Sequence, residues 1–129
     1  MRINITAGEC LNNILKSIYE EQFFIPFNEA MNVGFYSGVL FSDEFMIERA
    51  KVHNVTVSSY QEKLKEFINF LNQINKYNEV ILWFGDDEFC KENIKIVLKT
   101  LDLFGYKDKI ILNIVNENNG EIIKKLLIR

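Results

Sequence analysis

A three-layer α/β fold around a mainly parallel sheet of four to five strands is predicted by three observations. Short apolar runs alternate along the chain with segments of helical period, the order expected when helices cover both faces of a sheet. The run VILWF at 80–84 is continuously apolar rather than alternating, and KIILNIV at 109–115 is a second such segment, a pattern of strands buried on both sides. The chain has 129 residues, 48% of them hydrophobic, which predicts a single domain over 1–129. A chain of that size buries roughly two thirds of its unfolded surface and needs no disulfide or metal staple.

The elements follow in order. Arg2–Thr6 places Ile3 and Ile5 on one side and reads as a strand; Ala7-Gly8-Glu9 breaks it. Leu11, Ile14, Leu15 and Ile18 recur at helical spacing over Glu9–Tyr19. Phe23–Phe27 is a short aromatic strand, and Pro26 confines it to a sheet edge or ends it there. Residues 28–40 carry Gly34 and Gly38 without a clear period and read as a long loop, at the edge of what a compact domain tolerates without a functional reason. Ser42-Asp43-Glu44 opens a helix through about His53. Ser58 or Ser59 caps a longer one carrying Leu64, Phe67, Ile68, Leu71 and Ile74, which Lys76-Tyr77-Asn78 closes. A strand over Glu79–Phe84, a helix over Glu88–Phe104 stopped by Gly105, and a strand over Lys109–Val115 complete the alternation. After the Asn119-Gly120 turn, Glu121–Ile128 fits either a last short helix or a terminal strand. This order is that of a Rossmann-like or flavodoxin-like domain.

Composition excludes several functions. Fifteen basic and 18 acidic residues, with no basic stripe, leave out duplex binding, and no nucleic-acid partner is expected. No window approaches a membrane-spanning apolar run, and MRINITAGEC lacks a signal-peptide core. Cys10 and Cys90 belong to no CxxC or Cys/His pattern, so structural zinc is not expected and a reducing cytoplasm suits them. Neither a G-x-G-x-x-G fingerprint nor a P-loop is present. The apolar terminus LLIR is a candidate surface for a homodimer.

In an open α/β sheet, ligands bind outside the carboxyl ends of the strands. Three turns fall there: Ala7-Gly8-Glu9-Cys10, Asn28-Glu29 and Gly85-Asp86-Asp87-Glu88. If the strand from 79 lies beside the first, the first and third turns face one another. Gly8 and Glu9 either frame an anion site at a helix start or serve as a turn glycine and a helix-start acid. Asp86 and Asp87 either hold a divalent metal or supply a general base, or they cap the following helix. Cys10 and Cys90 sit at helix starts, where a thiolate is stabilised, or are small buried hydrophobes. Cys10, Asp86 and Asp87 are the catalytic candidates. Trp83 is a ligand platform or core, Arg49 a site residue or a salt-bridging surface residue, and His53 reads as a surface or C-terminal helix residue.

Three segments carry a resemblance: ITAGECLNNIL (5–15), FNEAMNVG (27–34) and VILWFGDDEFCKENIKIVLKTL (80–101). Together they are similar to the bacterial domain-of-unknown-function family eighteen-thirty-five. That family opens with a strand, N-G-D-S and a helix; it then has an acidic segment ending in glycine-proline, a helical arginine, and L-W-F before an acidic turn and F-C-Q-x-N-L. Gly8 matches the glycine, with Glu9 and Cys10 in place of aspartate and serine. Glu29 and Gly34 match the second segment, with Phe35 in place of proline, and Arg49 stands for the helical arginine. Trp83, Phe84, Asp87, Phe89, Cys90 and Asn93 match the third, with Lys91 in place of glutamine. The resemblance implies a version of the domain without the family's usual C-terminal extension. An Ile-, Asn-, Lys- and Phe-rich composition points the same way, to an AT-rich bacterial genome.

The expected function is binding of a small molecule or nucleotide at the carboxyl ends of the strands, with Gly8, Glu9, Asn28, Glu29, Arg49, Trp83, Asp86 and Asp87 at the site. Whether a reaction follows is left open. The alternative is a non-catalytic regulatory or interaction domain presenting Phe35, Tyr36 and Phe41 to a partner.

Overall fold

Ile3 and Ile5 alternate with Asn4 and Thr6, and this period of two builds the first strand, β1 (Arg2–Thr6). A computed structural model describes residues 1–129. Along the chain follow α1 (Glu9–Ile18), β2 (Phe24–Pro26), α2 (Asp43–Val52), α3 (Val57–Lys63), α4 (Lys65–Asn72), β3 (Glu79–Phe84), α5 (Glu88–Leu103), β4 (Lys109–Val115) and β5 (Ile122–Leu127). The strands form one sheet in the order β2-β1-β3-β4-β5. All neighbours are parallel except β4 and β5. Thr6 stands opposite both Pro26 and Trp83, so the chain leaves β1 on one side and returns on the other. The predicted α/β class and the neighbouring of β1 and β3 are therefore observed.

Apolar alternation divides the sheet into two faces. Ile3, Ile5, Val80, Leu82, Phe84, Ile110 and Leu112 join the main core with residues of α2–α5, among them Phe45, Phe67 and Val97. Ile81, Trp83, Phe24 and Val115 pack on the other face against Leu11 and Leu15 of α1. The central β3 is covered from both sides, which explains its unbroken apolar run. Pro26 closes the edge strand β2, where no ladder donor is needed.

The helix expected from Ser58 or Ser59 is corrected in its length and in its cap. The single long helix from Ser58 or Ser59 is two helices that meet at Leu64, followed by a 3-10 turn at Ile74–Lys76. Thr56 is the cap: its hydroxyl accepts from the Ser59 amide at 3.0 Å, which puts Ser58 and Ser59 inside the first turn. Three hydroxyl residues compete for this role in T-V-S-S, and the cap falls to the one with extended backbone, ψ 158°. The C-terminal segment is a strand, antiparallel to β4 and largely exposed. The Asn119-Gly120 turn, with Gly120 at φ 78°, folds it back as a hairpin.

The long connection from Asn28 to Ser42 has no regular structure, as predicted, yet it is anchored. Met31, Leu40 and Phe41 are buried. The Met31 amide donates to Asn93 Oδ1 at 2.9 Å, and Ser37 N–H donates to Glu48 at 2.7 Å. Gly34, at φ 68°, lies so close to Val52 that a Cβ would meet its side chain at 2.6 Å. No helix is long and apolar enough to cross a membrane.

Candidate functional site

A cleft of about 390 Å³ opens over the carboxyl ends of β1 and β2. Ala7 and Gly8 reach it from the turn after β1. Phe27, Asn28 and Glu29 come from the chain leaving β2, and His53, Ser59, Tyr60 and Lys63 from the α2–α3 side. Phe89 closes it from the start of α5. Gly8 adopts φ 151°, a conformation open to glycine and strained for other residues.

The floor of the cleft is a buried ionic network. Glu29 and Arg49 have side chains with no solvent exposure, and they pair twice: Arg49 Nη2 donates to Glu29 Oε1 at 2.9 Å and Nε to Oε2 at 3.0 Å. The remaining guanidinium protons go to the carbonyls of Ala30, Val33 and Phe35. Glu29 also accepts from the Tyr60 hydroxyl at 2.5 Å, the Ala30 amide at 2.7 Å and His53 Nε2 at 2.5 Å. Asn93 completes the frame by donating to the Glu29 carbonyl at 2.8 Å. Burial alone would raise the Glu29 carboxyl, but hydrogen bonds from Arg49, Tyr60 and Ala30 outweigh it and hold the group below the usual carboxylate range. Burial, and then the neighbouring Glu29 charge, push the Tyr60 phenol up.

Local sequence explains the assembly. Arg49 and His53 stand four residues apart on α2, so both side chains leave the same face. His53 is the C-terminal cap of that helix, its amide bonding to the Arg49 carbonyl. Its ring lies nearly parallel to Tyr60, 13° between planes and 6.3 Å between centroids.

The residues singled out from sequence fall into two groups. Gly8, Asn28 and Glu29 line the cleft, and Arg49 lies behind Glu29. Arg49 is no surface residue; His53 does end its helix, as expected, and its ring also joins the network. Glu9 is exposed at the start of α1 and accepts from Asn28 Nδ2 at 3.1 Å. Trp83 is buried beneath α1, where its Nε1 donates to Asn4 Oδ1 at 2.9 Å. Cys10 is exposed on α1. Asp86 is exposed, and Asp87 is the N-cap of α5, accepting from the Cys90 amide at 2.8 Å. Asp86 and Asp87 thus stay at the start of α5 and do not line the cleft, whereas the turn at Gly8 does, so the two acidic turns do not meet there. Asp87, Cys90 and Glu117 do bring three ligand-type atoms within 4.8 Å of one another. There the Cys90 thiol, far from being activated by its helix start, is pushed up by burial and by its hydrogen bond to Glu117. Of the aromatics offered as a partner surface, Phe35 is exposed, but Phe41 is buried between Phe45 and Phe67, and Tyr36 packs on Phe45.

His53, Ser59, Tyr60 and Lys63 were not drawn to the site by sequence alone. The available signal was the spacing of Arg49 and His53, a basic pair on one face of a helix whose moment is weak because that face buries charge. Comparison with protein families, with curated proteins and with solved structures finds no match.

Proposed function

We propose that this protein binds a small molecule or nucleotide in the cleft over the carboxyl ends of β1 and β2. The observation that carries the reading is the fully satisfied Glu29–Arg49 pair at the floor of a concave site of ligand size. Burying two charges costs several kcal/mol per ion before pairing repays it, roughly as much as a hydrophobic floor would save. A floor built this way gives a rigid, preorganised surface rather than extra stability. Glu29 and Arg49 cancel in charge, whereas the Lys63 ammonium at the wall forms no ion pair. The favoured ligand therefore carries an anionic group for Lys63 and a flat or apolar part for Phe27, Tyr60 and Phe89.

The likeness to family eighteen-thirty-five belongs to the same proposal. Glu29, Arg49 and Asn93, three residues that carry it, are joined in one network, and Gly34 lies between Val33 and Phe35, two of the three residues whose carbonyls receive Arg49. Both cysteines are free, in keeping with a bacterial cytoplasm as the place of action.

A thermal-shift panel of nucleotides, sugar phosphates and small carboxylic acids tests the reading on wild type and Ser59→Trp. Ser59 is exposed on α3 at the cleft wall, so the indole fills the cleft without entering the core. The expected result is a ligand that raises the wild-type melting temperature and leaves the variant unchanged. A panel without effect on wild type, or a shift that survives in the variant, overturns it.

A further inference from the structure

We infer that His53 is a general base in this cleft, held by Glu29 as the Nε2–H tautomer so that the Nδ1 lone pair faces a bound molecule. The inference rests on the cleft being a binding site, as proposed above. The tautomer follows from counting protons. A guanidinium has five N–H donors. Each of those of Arg49 already has an acceptor: two on Glu29, and one each on Ala30, Val33 and Phe35. None is left for His53 Nε2, although that atom lies 3.2 Å from Arg49 Nη2. Glu29 is ionised and has no proton to give. The 2.5 Å contact between Nε2 and Glu29 Oε1 therefore requires the proton on Nε2.

Nδ1 is then an acceptor with no protein partner. It is not among the enclosed polar atoms that lack one, so it is open to solvent, and the imidazole that carries it forms part of the cleft wall. The arrangement has the parts of a carboxylate–histidine dyad: a buried carboxylate fixes ring orientation and tautomer and stabilises the imidazolium that forms. Arg49, Tyr60 and the Ala30 amide in turn fix the carboxylate, which makes Glu29 a positioning residue. The step is a proton transfer. An O–H or activated C–H bond of a bound small molecule breaks, its proton forms a bond to Nδ1, and its electron pair remains on the substrate. The substrate class is a small molecule with such a proton near an anionic group paired with Lys63.

His53 is the single histidine of the chain, so imidazole signals from tag-free protein are its own. Long-range proton–nitrogen correlation at mildly alkaline pH reads the tautomer directly, and protonated Nε2 with bare Nδ1 is expected. The base is probed with 5-nitrobenzisoxazole, a flat aromatic sized for the cleft. A base removes its ring C–H proton, those electrons form the nitrile, and the N–O bond breaks to release a coloured phenolate. His53→Gln should retain the fold and lose roughly a hundredfold of the wild-type rate. An Nδ1–H tautomer, or equal rates in folded His53→Gln and wild type, overturns the inference even where panel ligands bind. A silent ligand panel beside the expected tautomer and rate loss overturns the binding reading and leaves the base in place.

Discussion

Glu29 and Arg49 decide the character of the site, and each is costly alone. Removing one partner of a buried ion pair strands the other charge and typically costs about 3–5 kcal/mol. Glu29→Gln should therefore be destabilised by about that amount at neutral pH, because the amide cannot match two guanidinium donors, a phenol, an amide and an imidazole. The pH dependence has a definite sign. Glu29 is held below its ordinary range in the fold. Its contribution is complete above the unfolded value, about 4.3, and is lost as pH falls through the lower folded value. In urea melts the gap between wild type and Glu29→Gln should narrow below about pH 4. A gap independent of pH would show that the carboxylate's charge does not matter. Both residues were visible in the sequence as candidates, but their pairing was not. The carbonyls that receive Arg49 belong to an aperiodic loop whose path no local pattern announces.

Side chains cap α2, α3 and α5, and the start of α5 explains two acids at the carboxyl end of the sheet. Asp87 accepts from the Cys90 amide, as an N-cap does, and Glu88 lies in the first turn of α5, where the helix dipole favours it. Asp87→Ala should cost about 1 kcal/mol in chemical denaturation, and Asp87→Ser should recover most of it. Full stability in Asp87→Ala, or no recovery with serine, would mean that Asp87 does something other than cap. Strong periodicity made α1 and α5 legible, and an unbroken apolar run made β3 so. The break at Leu64 was not, because Tyr60, Leu64 and Phe67 all point into the core and the apolar period runs on across it. β5 was ambiguous for the opposite reason. At a sheet edge its Ile122, Ile123 and Leu127 are exposed around Lys124 and Lys125, so no burial pattern marks its period. The two lysines are the kind of charge that discourages edge-to-edge pairing.

At the scale of the molecule, the strand order puts a crevice where β1 departs to β2 on one side and meets β3 on the other, the position where α/β sheets hold ligands. Alternation of strands and helices was enough to foresee that crevice and the turn at Gly8. It could not show that His53 at the end of α2 and Ser59, Tyr60 and Lys63 of α3 wall the open space beside Asn28 and Glu29, away from Asp86 and Asp87. That placement is a property of packing between elements distant in sequence, such as Phe27 on Phe67 and Asn93 on Glu29. The central claim is that this displaced cleft is the binding site, and amide chemical-shift mapping with the panel's best stabiliser tests it most directly. Perturbations are expected at residues 7–9, 27–30, 53–63 and 89, with the His53 imidazole among them. Perturbations confined to Asp86–Glu88 and Glu117, or to the exposed strand β5, would contradict it.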